Sequence, residues 1–392
     1  MGHEADVVIV GGGICGLATA LALHRKGIKS VVLERSDTLR ATGAAIIVHA
    51  NGWRALDQLG VASVLRQTAY PLHSVQFIPV HDDNIGKRKV KPYGEEELRC
   101  LKRTDLIKVF ADNLAPNTVR LGCQVESIKL DPITSFPVLQ LHDGSTLKAK
   151  VVIGCDGVNS VIANMFELHP TRVSPACVAR GFTNYPDCHG FEKGVLIFRH
   201  DNVQLGRMPI TDKLAYWFLV REWTSQDSVV SRDQALIRES TMQSLKGFPT
   251  DALEMIKRSD LDSLRFTGLK YRAPWDLLRG QFRKGTVALA GDAMHAMCPF
   301  IAQGGSASLE DSVVLARCIS GKMCKSRVDI EEALDQYVKE RRMRVFCLSF
   351  ETYLVGMMNY GRFALARVLG IILLAILFRD SFGHTHFHCG QL

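Results

Sequence analysis

Hydrophobic and polar positions along this chain switch between two periods, and the switches mark out elements. Residues 7–10 (Val-Val-Ile-Val) form an unbroken β-branched run, which predicts a strand buried on both faces. Three glycines follow, and then residues 14–25, rich in Ala and Leu, read as a helix that ends at Gly27. Residues 30–34 are a second apolar strand closing on an acid, so the first stretch is one strand–helix–strand unit. A short helix is predicted over 51–59, stopped by Gly60, and Thr104 is a predicted N-cap for a helix through Leu114. Residues 138–150 alternate around His142-Asp143-Gly144-Ser145, a hairpin signal. Buried strands over 151–153 and 286–290 run into Gly154-Cys155-Asp156-Gly157 and Gly291-Asp292. Residues 177–221 are strand-like, whereas 231–258, 306–318 and 330–350 carry helical periodicity. The order predicts an α/β dinucleotide-binding domain assembled from separated pieces, with a sheet-rich insertion and a helical C-terminal section.

Composition narrows the class. A length of 392 residues suggests two or three domain-sized units. With 47% hydrophobic and 22% charged residues the chain has ample apolar surface to bury, which excludes a disordered protein. No apolar stretch of roughly 20 residues occurs, which excludes a multi-span membrane protein. The 11 cysteines are odd in number, scattered and without C-x-x-C spacing, so they read as thiols in a reducing compartment. No signal peptide is recognised, and a cytoplasmic location is expected. The net charge of +8 suits phosphate-bearing ligands. The basic runs Lys87 to Lys91 and Lys339 to Arg344 lack interleaved aromatics, so no nucleic-acid partner is expected.

Three glycine-centred constellations carry the chemistry. Gly11-x-Gly13-x-x-Gly16 lies between a strand and a helix, where it allows a tight turn, close approach to a pyrophosphate, and helix–strand packing. The helix N-terminus offers unpaired N–H groups to the phosphates, and Glu34 ends the next strand as an acceptor for ribose hydroxyls. Gly154-x-Asp156-Gly157 taken alone reads first as a turn. Gly291-Asp292-Ala293-x-His295, Pro299, Gln303-Gly304-Gly305 and Glu310-Asp311 put an acid at a strand end and two glycines at a helix start, where an electron-rich group would be stabilised.

Together the three constellations resemble the single-component FAD-dependent aromatic-hydroxylase monooxygenases, which carry G-x-G-x-x-G, D-G and G-D motifs in this order. The closer likeness is to plant FAD-dependent monooxygenases related to zeaxanthin epoxidase and to salicylate-hydroxylase-like proteins. It is carried by Leu33-Glu34-Arg35, Leu39-Arg40-x-Thr42-Gly43, Asn51-x-Trp53-Arg54-Ala55-Leu56-Asp57, Pro274-Trp275-Asp276-Leu277, Gly291 to His295, Leu309 to Arg317 and the terminal Cys389-Gly390-Gln391-Leu392. It runs from residue 6 to the end.

The resemblance implies a Rossmann-like FAD-binding domain of the glutathione-reductase type over 1–70, 100–170 and 271–330. It implies a mixed-sheet substrate domain over 71–99 and 171–270, and a helical region over 331–392. FAD would be held non-covalently by Gly11, Gly13, Ile14, Cys15, Gly16, Glu34, Arg35, Arg40, Gly43, Ala44, Ala45, Arg103 and Val125. Asp156, Gly157, Gly291, Asp292, Pro299, Ala302, Gln303, Gly304, Gly305 and Ser306 would complete its site. NADPH would visit a surface groove and reduce the flavin. O₂ would then form a hydroperoxide at flavin C4a, and one oxygen atom would pass to an aromatic or other electron-rich small molecule, by hydroxylation or epoxidation, in plant specialised metabolism. The protein must exclude water and orient the substrate, and often needs a base for a phenol.

Departures from the family pattern cluster at the reaction site. Ala296 stands for a proline, Phe300 for an acid, Ala302 for a glycine, His49 for a tryptophan, and Ala163 for an arginine. They point to a changed substrate, or to an oxidase or oxidative cyclisation on the same fold. A non-catalytic binding protein is the third alternative. His49 is the acid/base candidate, against a packed core histidine; Pro299 and Phe300 would border the flavin. Phe182, Arg199, Gln204, Met208, Tyr216 and Phe218 are candidates for lining the substrate pocket. His295 is given a structural role, and the tail histidines 384, 386 and 388 are not taken as a metal site. Residues 360–378 read as a helix packed on the body or as one in peripheral membrane contact, too short to span. Monomer and homodimer both remain open.

Overall fold

The computed structural model describes residues 3–39, 44–81, 84–323, 326–361, 363–380 and 382–392. Its first sheet is built on His3–Val10, flanked in parallel by Ser30–Leu33 on one side and Thr146–Gly154 on the other. Val7, Val8 and Ile9 are wholly buried, as an unbroken apolar strand requires. The long strand Thr146–Gly154 has two partners on its far side. Its start pairs antiparallel with Pro137–Leu141, closing the expected hairpin, and its end pairs in parallel with Val287–Leu289. That register sets Val10, Gly154 and Leu289 abreast. All three glycine-centred loops therefore leave the sheet at one carboxyl edge, where parallel α/β sheets open a crevice.

The second sheet orders Arg265–Tyr271, Arg172–Asn184, Leu214–Glu222, Val203–Thr211, Gly194–His200 and Ser74–His81, with Lys89–Pro92 antiparallel on the last. Ser74–His81 joins Gly194–His200 in parallel. A third, small sheet of Ala45–Val48, Arg99–Lys102 and Tyr70–Pro71 sits between the two cores. Its strands of two to four residues are too short to show a period, so the sequence pattern did not reveal it.

The helices depart from the sequence reading in three places. Thr104 is not an N-cap: the helix Arg103–Asp112 begins one residue earlier and is preceded by Lys102. Residues 231–258 are not one helix; Gln234–Ser244 and Thr250–Lys257 are separated at Gly247 and Pro249, which break the period. The helix expected over 330–350 runs as Arg327–Tyr360, opened by a Ser326/Asp329 capping box and continued to Gly361 because no breaker intervenes.

The helix Gly304–Ile319 is almost entirely buried beneath Ile14–Arg25, with Thr19 Oγ1 donating to Ser312 Oγ at 3.1 Å. It carries Glu310 and Asp311 into the interior, where Arg341 of the long helix meets both, at 2.7 and 2.6 Å. Burial alone would raise both carboxyls, but Arg341, together with Arg344 at Glu310 and His295 at Asp311, holds them below the usual carboxylate range. Burial would likewise lower His295; Asp311 at 2.7 Å raises it. Asp311 also accepts from Gly291 N at 2.8 Å, so this ion cluster clamps the third glycine loop. His295 therefore belongs to the scaffold, as the sequence suggested.

Candidate active site

A cavity of about 1360 Å³ lies between the carboxyl edge of the first sheet and the inner face of the second. Its floor is the first glycine loop. Gly11 has φ +104°, and a Cβ there would stand 2.5 Å from the Cys155 carbonyl. Gly16 lies beneath the floor, where a Cβ would stand 1.9 Å from the Gly11 carbonyl. Gly13, by contrast, faces open space, with only the tip of Arg103 within 4 Å. Ile14 and Cys15 begin the helix behind it and also line the cavity. Glu34 reaches over the loop, accepting from Gly12 N at 2.7 Å and Ser36 N at 2.9 Å, with Arg35 beside it.

Arg103 opens the helix that follows the small sheet, its backbone N–H donating to Ala44 O at 3.0 Å. Burial lowers its pKa against the opposing pull of nearby Asp292, and its Nε has no partner. Asp156 also lines the wall, but its carboxylate is occupied by its own loop. It accepts from Ser160 Oγ at 2.5 Å and Val161 N at 2.7 Å, and burial raises its pKa. The turn reading of that motif thus describes the side chain, while its backbone packs on Gly11.

Most of the residues singled out from the sequence converge here. Gly157, Val125, Ala45, Asp292, Pro299, Phe300, Ala302, Gly304 and Gly305 border the cavity from the side of the glycine loops, and Arg199, Gln204, Met208, Tyr216 and Phe218 from the second sheet. Others stand back from it. Phe182 packs behind Tyr216, ring centroids 5.2 Å apart. Gln303 turns its side chain to Asn51, which donates to Oε1 at 2.9 Å, and Ser306 is buried against Gly52. Gly291, at φ +59°, packs on Cys15. Arg40 and Gly43 lie outside the described residues.

Ala302 adopts φ 52°, ψ 31°, a left-handed conformation that costs a residue with a Cβ about 1–2 kcal/mol. Ala302→Gly is therefore expected to stabilise the protein by roughly 1 kcal/mol, after the extra chain entropy glycine brings to the unfolded state. A urea melt checks it, and an unchanged or lower midpoint would count against strain at this position.

The sequence reading missed several lining residues. Arg180 borders the cavity with an unpartnered Nε. Glu351, His384 and Phe382 arrive from the long helix and the tail. His49 shares a 2.7 Å hydrogen bond with Tyr93 through Nδ1, while Nε2 is buried without a partner. Burial, and then the neighbouring His384, lowers its pKa to about 3, so it is neutral at physiological pH. His384 stands 6.0 Å away between ring centroids, its Nδ1 bonded to Glu351 at 3.1 Å and its Nε2 likewise unpartnered. The sequence marked His384 only within a tail cluster not taken as a metal site, and Glu351 not at all, because only the packing of the tail brings them to His49.

The cavity suits an elongated, anionic, ring-bearing ligand. It offers a glycine cradle that a Cβ would fill, a helix N-terminus at Gly304, an acid over the first loop, and guanidinium groups whose Nε atoms lack partners. The fold is of the α/β type, and its glycine loops and arginines fit a flavin nucleotide. The chain belongs to the FAD binding domain family, whose profile matches residues 4–346, and it is an FAD-dependent oxidoreductase. It is 45% identical over 400 residues to Monooxygenase 1 of Arabidopsis thaliana, covering all of both chains. It is 36% identical to Monooxygenase 2 of the same plant, covering 99% of this chain and 98% of that one. Among solved structures it is similar to Klebsiella pneumoniae HpxO complexed with FAD and uric acid. There the TM-score is 0.82 at 21% identity, with 97% and 96% of the two chains covered.

Proposed function

We propose that the protein is an NADPH-dependent monooxygenase that inserts one atom of O₂ into an aromatic or other electron-rich small molecule of plant specialised metabolism. The observation that carries this reading is the convergence of the three glycine loops and the Arg199–Tyr216 face of the second sheet on one cavity. Bound FAD would supply electron transfer and oxygen activation. Gly11, Gly13 and the N-terminus of Ile14–Arg25 would hold its pyrophosphate, with Arg103 above, and Glu34 its ribose. Asp292 and Gly304 would face the ribityl and ring end, and Pro299 and Phe300 would border the ring. The nucleotide cradle then falls in 1–70, 100–170 and 271–330, the substrate face in 71–99 and 171–270, and residues 331–392 close the cavity.

The second sheet presents Met208, Tyr216 and Phe218 as an apolar wall that excludes water and lies against a flat substrate. At the far end, His384, oriented by Glu351, takes the proton of a substrate hydroxyl on its free Nε2. His49, kept neutral and hydrogen-bonded to Tyr93, stands edge-on beside it. His384→Asn is expected to lower kcat on a phenolic substrate about 100-fold or more, while reduction of the flavin by NADPH without substrate is unchanged. Loss of bound FAD in that variant would instead assign His384 to holding the cofactor.

The test of the whole reading is turnover of the yellow protein with NADPH, candidate phenols and ¹⁸O₂. A product gaining one labelled oxygen atom supports insertion. An oxidised product without label supports the oxidase or cyclisation reading, which the altered Ala296–Phe300–Ala302 loop favours. A purified protein without flavin overturns both.

A further inference from the structure

The helix Ala364–Leu377 has two unlike sides. Only Gly370 is buried; there the helix crosses the long helix so closely that a Cβ would lie 3.3 Å from the Leu354 carbonyl. On that inner side Leu374 and Phe378 line the cavity. On the opposite side Leu365, Val368, Leu369, Ile372 and Ile376 recur at helical spacing and form one exposed apolar stripe, with Leu365 79% and Ile376 57% exposed. A helix at a water-facing surface would carry polar residues there. No helix among the described residues is long and apolar enough to cross a membrane.

Charge identifies what would cover the stripe. No acid occurs between Glu351 and Asp380, and exposed Arg379 follows the helix. The basic run that the nucleotide site leaves unused lies nearby. Lys87 and Lys89 are exposed, Lys91 borders the same cavity, and Tyr93, just beyond, packs edge-on against Phe382 after the helix, ring centroids 4.7 Å apart. An apolar stripe beside exposed cations matches an anionic lipid surface: hydrocarbon takes the stripe, and phosphate and carboxylate headgroups take Lys87, Lys89 and Arg379.

We propose that Ala364–Leu377 docks the protein, lying in the interface plane, on an anionic bilayer, with the mouth of the cavity held at the lipid surface. The proposal is independent of the reaction proposed above.

Co-sedimentation of the full-length, FAD-loaded protein with vesicles of phosphatidylcholine, with and without phosphatidylserine, tests it. Binding is expected with phosphatidylserine and should weaken at high salt. Leu369→Asp/Ile372→Asp should abolish it with flavin absorbance and circular dichroism retained. If that variant misfolds, the single Ile376→Glu serves in its place. Lys87→Gln/Lys89→Gln should weaken binding about 30-fold, at about a tenfold loss per 1.4 kcal/mol and about 1 kcal/mol for each cation. A wild-type protein that stays in the supernatant with both vesicles, or binds both equally, overturns the proposal. So does a dimer, measured by light scattering, that Ile372→Asp splits while no vesicle binds: the stripe would then be covered by a second copy of the chain.

Discussion

Arg341→Met is expected to destabilise the protein by about 3–5 kcal/mol. Arg341 is wholly buried and is shared by Glu310 and Asp311, themselves wholly buried. Removing the cation leaves two carboxylates in the interior with reduced compensation, and it frees the clamp on Gly291. The pH dependence has a definite sign. Both carboxyls are depressed in the folded state, so their contribution is present above the ordinary carboxylate range and lost as pH falls through the depressed values. His295, raised above 6.5, contributes below that value and loses its contribution as pH rises through the raised one. Denaturant midpoints across pH check this. Glu310→Gln/Asp311→Asn added to Arg341→Met should restore part of the loss, because it removes the uncompensated charges. A midpoint for Arg341→Met close to wild type would refute the clamp.

Gly16→Ala should give a folded but colourless protein. The new methyl would stand 1.9 Å from the Gly11 carbonyl, so the helix must back away from the turn that shapes the nucleotide cradle. The expected loss of FAD affinity is 100-fold or more, about 3 kcal/mol. Flavin absorbance after gel filtration, compared with far-ultraviolet circular dichroism, separates loss of cofactor from loss of fold. Retention of stoichiometric flavin would show that the loop tolerates the shift. Both residues act through backbone position, Arg341 by fixing Gly291 and Gly16 by fixing Gly11.

The glycine-loop half of the cavity was legible in the sequence because its information is local. A glycine cradle needs particular residues at particular spacings on one turn, and Gly11, Gly13, Gly16 and Glu34 sit together within one strand–helix–strand unit. Ala302 was marked instead by the family resemblance, as an alanine where relatives carry glycine, and its backbone is left-handed. The far half was not legible. Alternation along Leu214–Glu222 and Val203–Thr211 identifies strands but not which face turns inward. Phe182 and Tyr216, paired across neighbouring strands, share one face, yet only Tyr216 reaches the cavity. Glu351 and His384 meet only because the tail folds back over the long helix and onto the cavity.

By itself, then, the sequence determined the α/β class, the carboxyl-edge glycine loops and the family, all properties written in short-range spacing and hydrophobic period. The tertiary structure alone decided three things. Strand register set Val10, Gly154 and Leu289 abreast, and so brought the loops of Gly11, Asp156 and Asp292 to one edge. A buried arginine fixed the third loop. And chain return placed a carboxylate-backed histidine in the cavity and left one apolar helix face without cover. Those depend on which surfaces pack against which, a long-range outcome that no local pattern encodes.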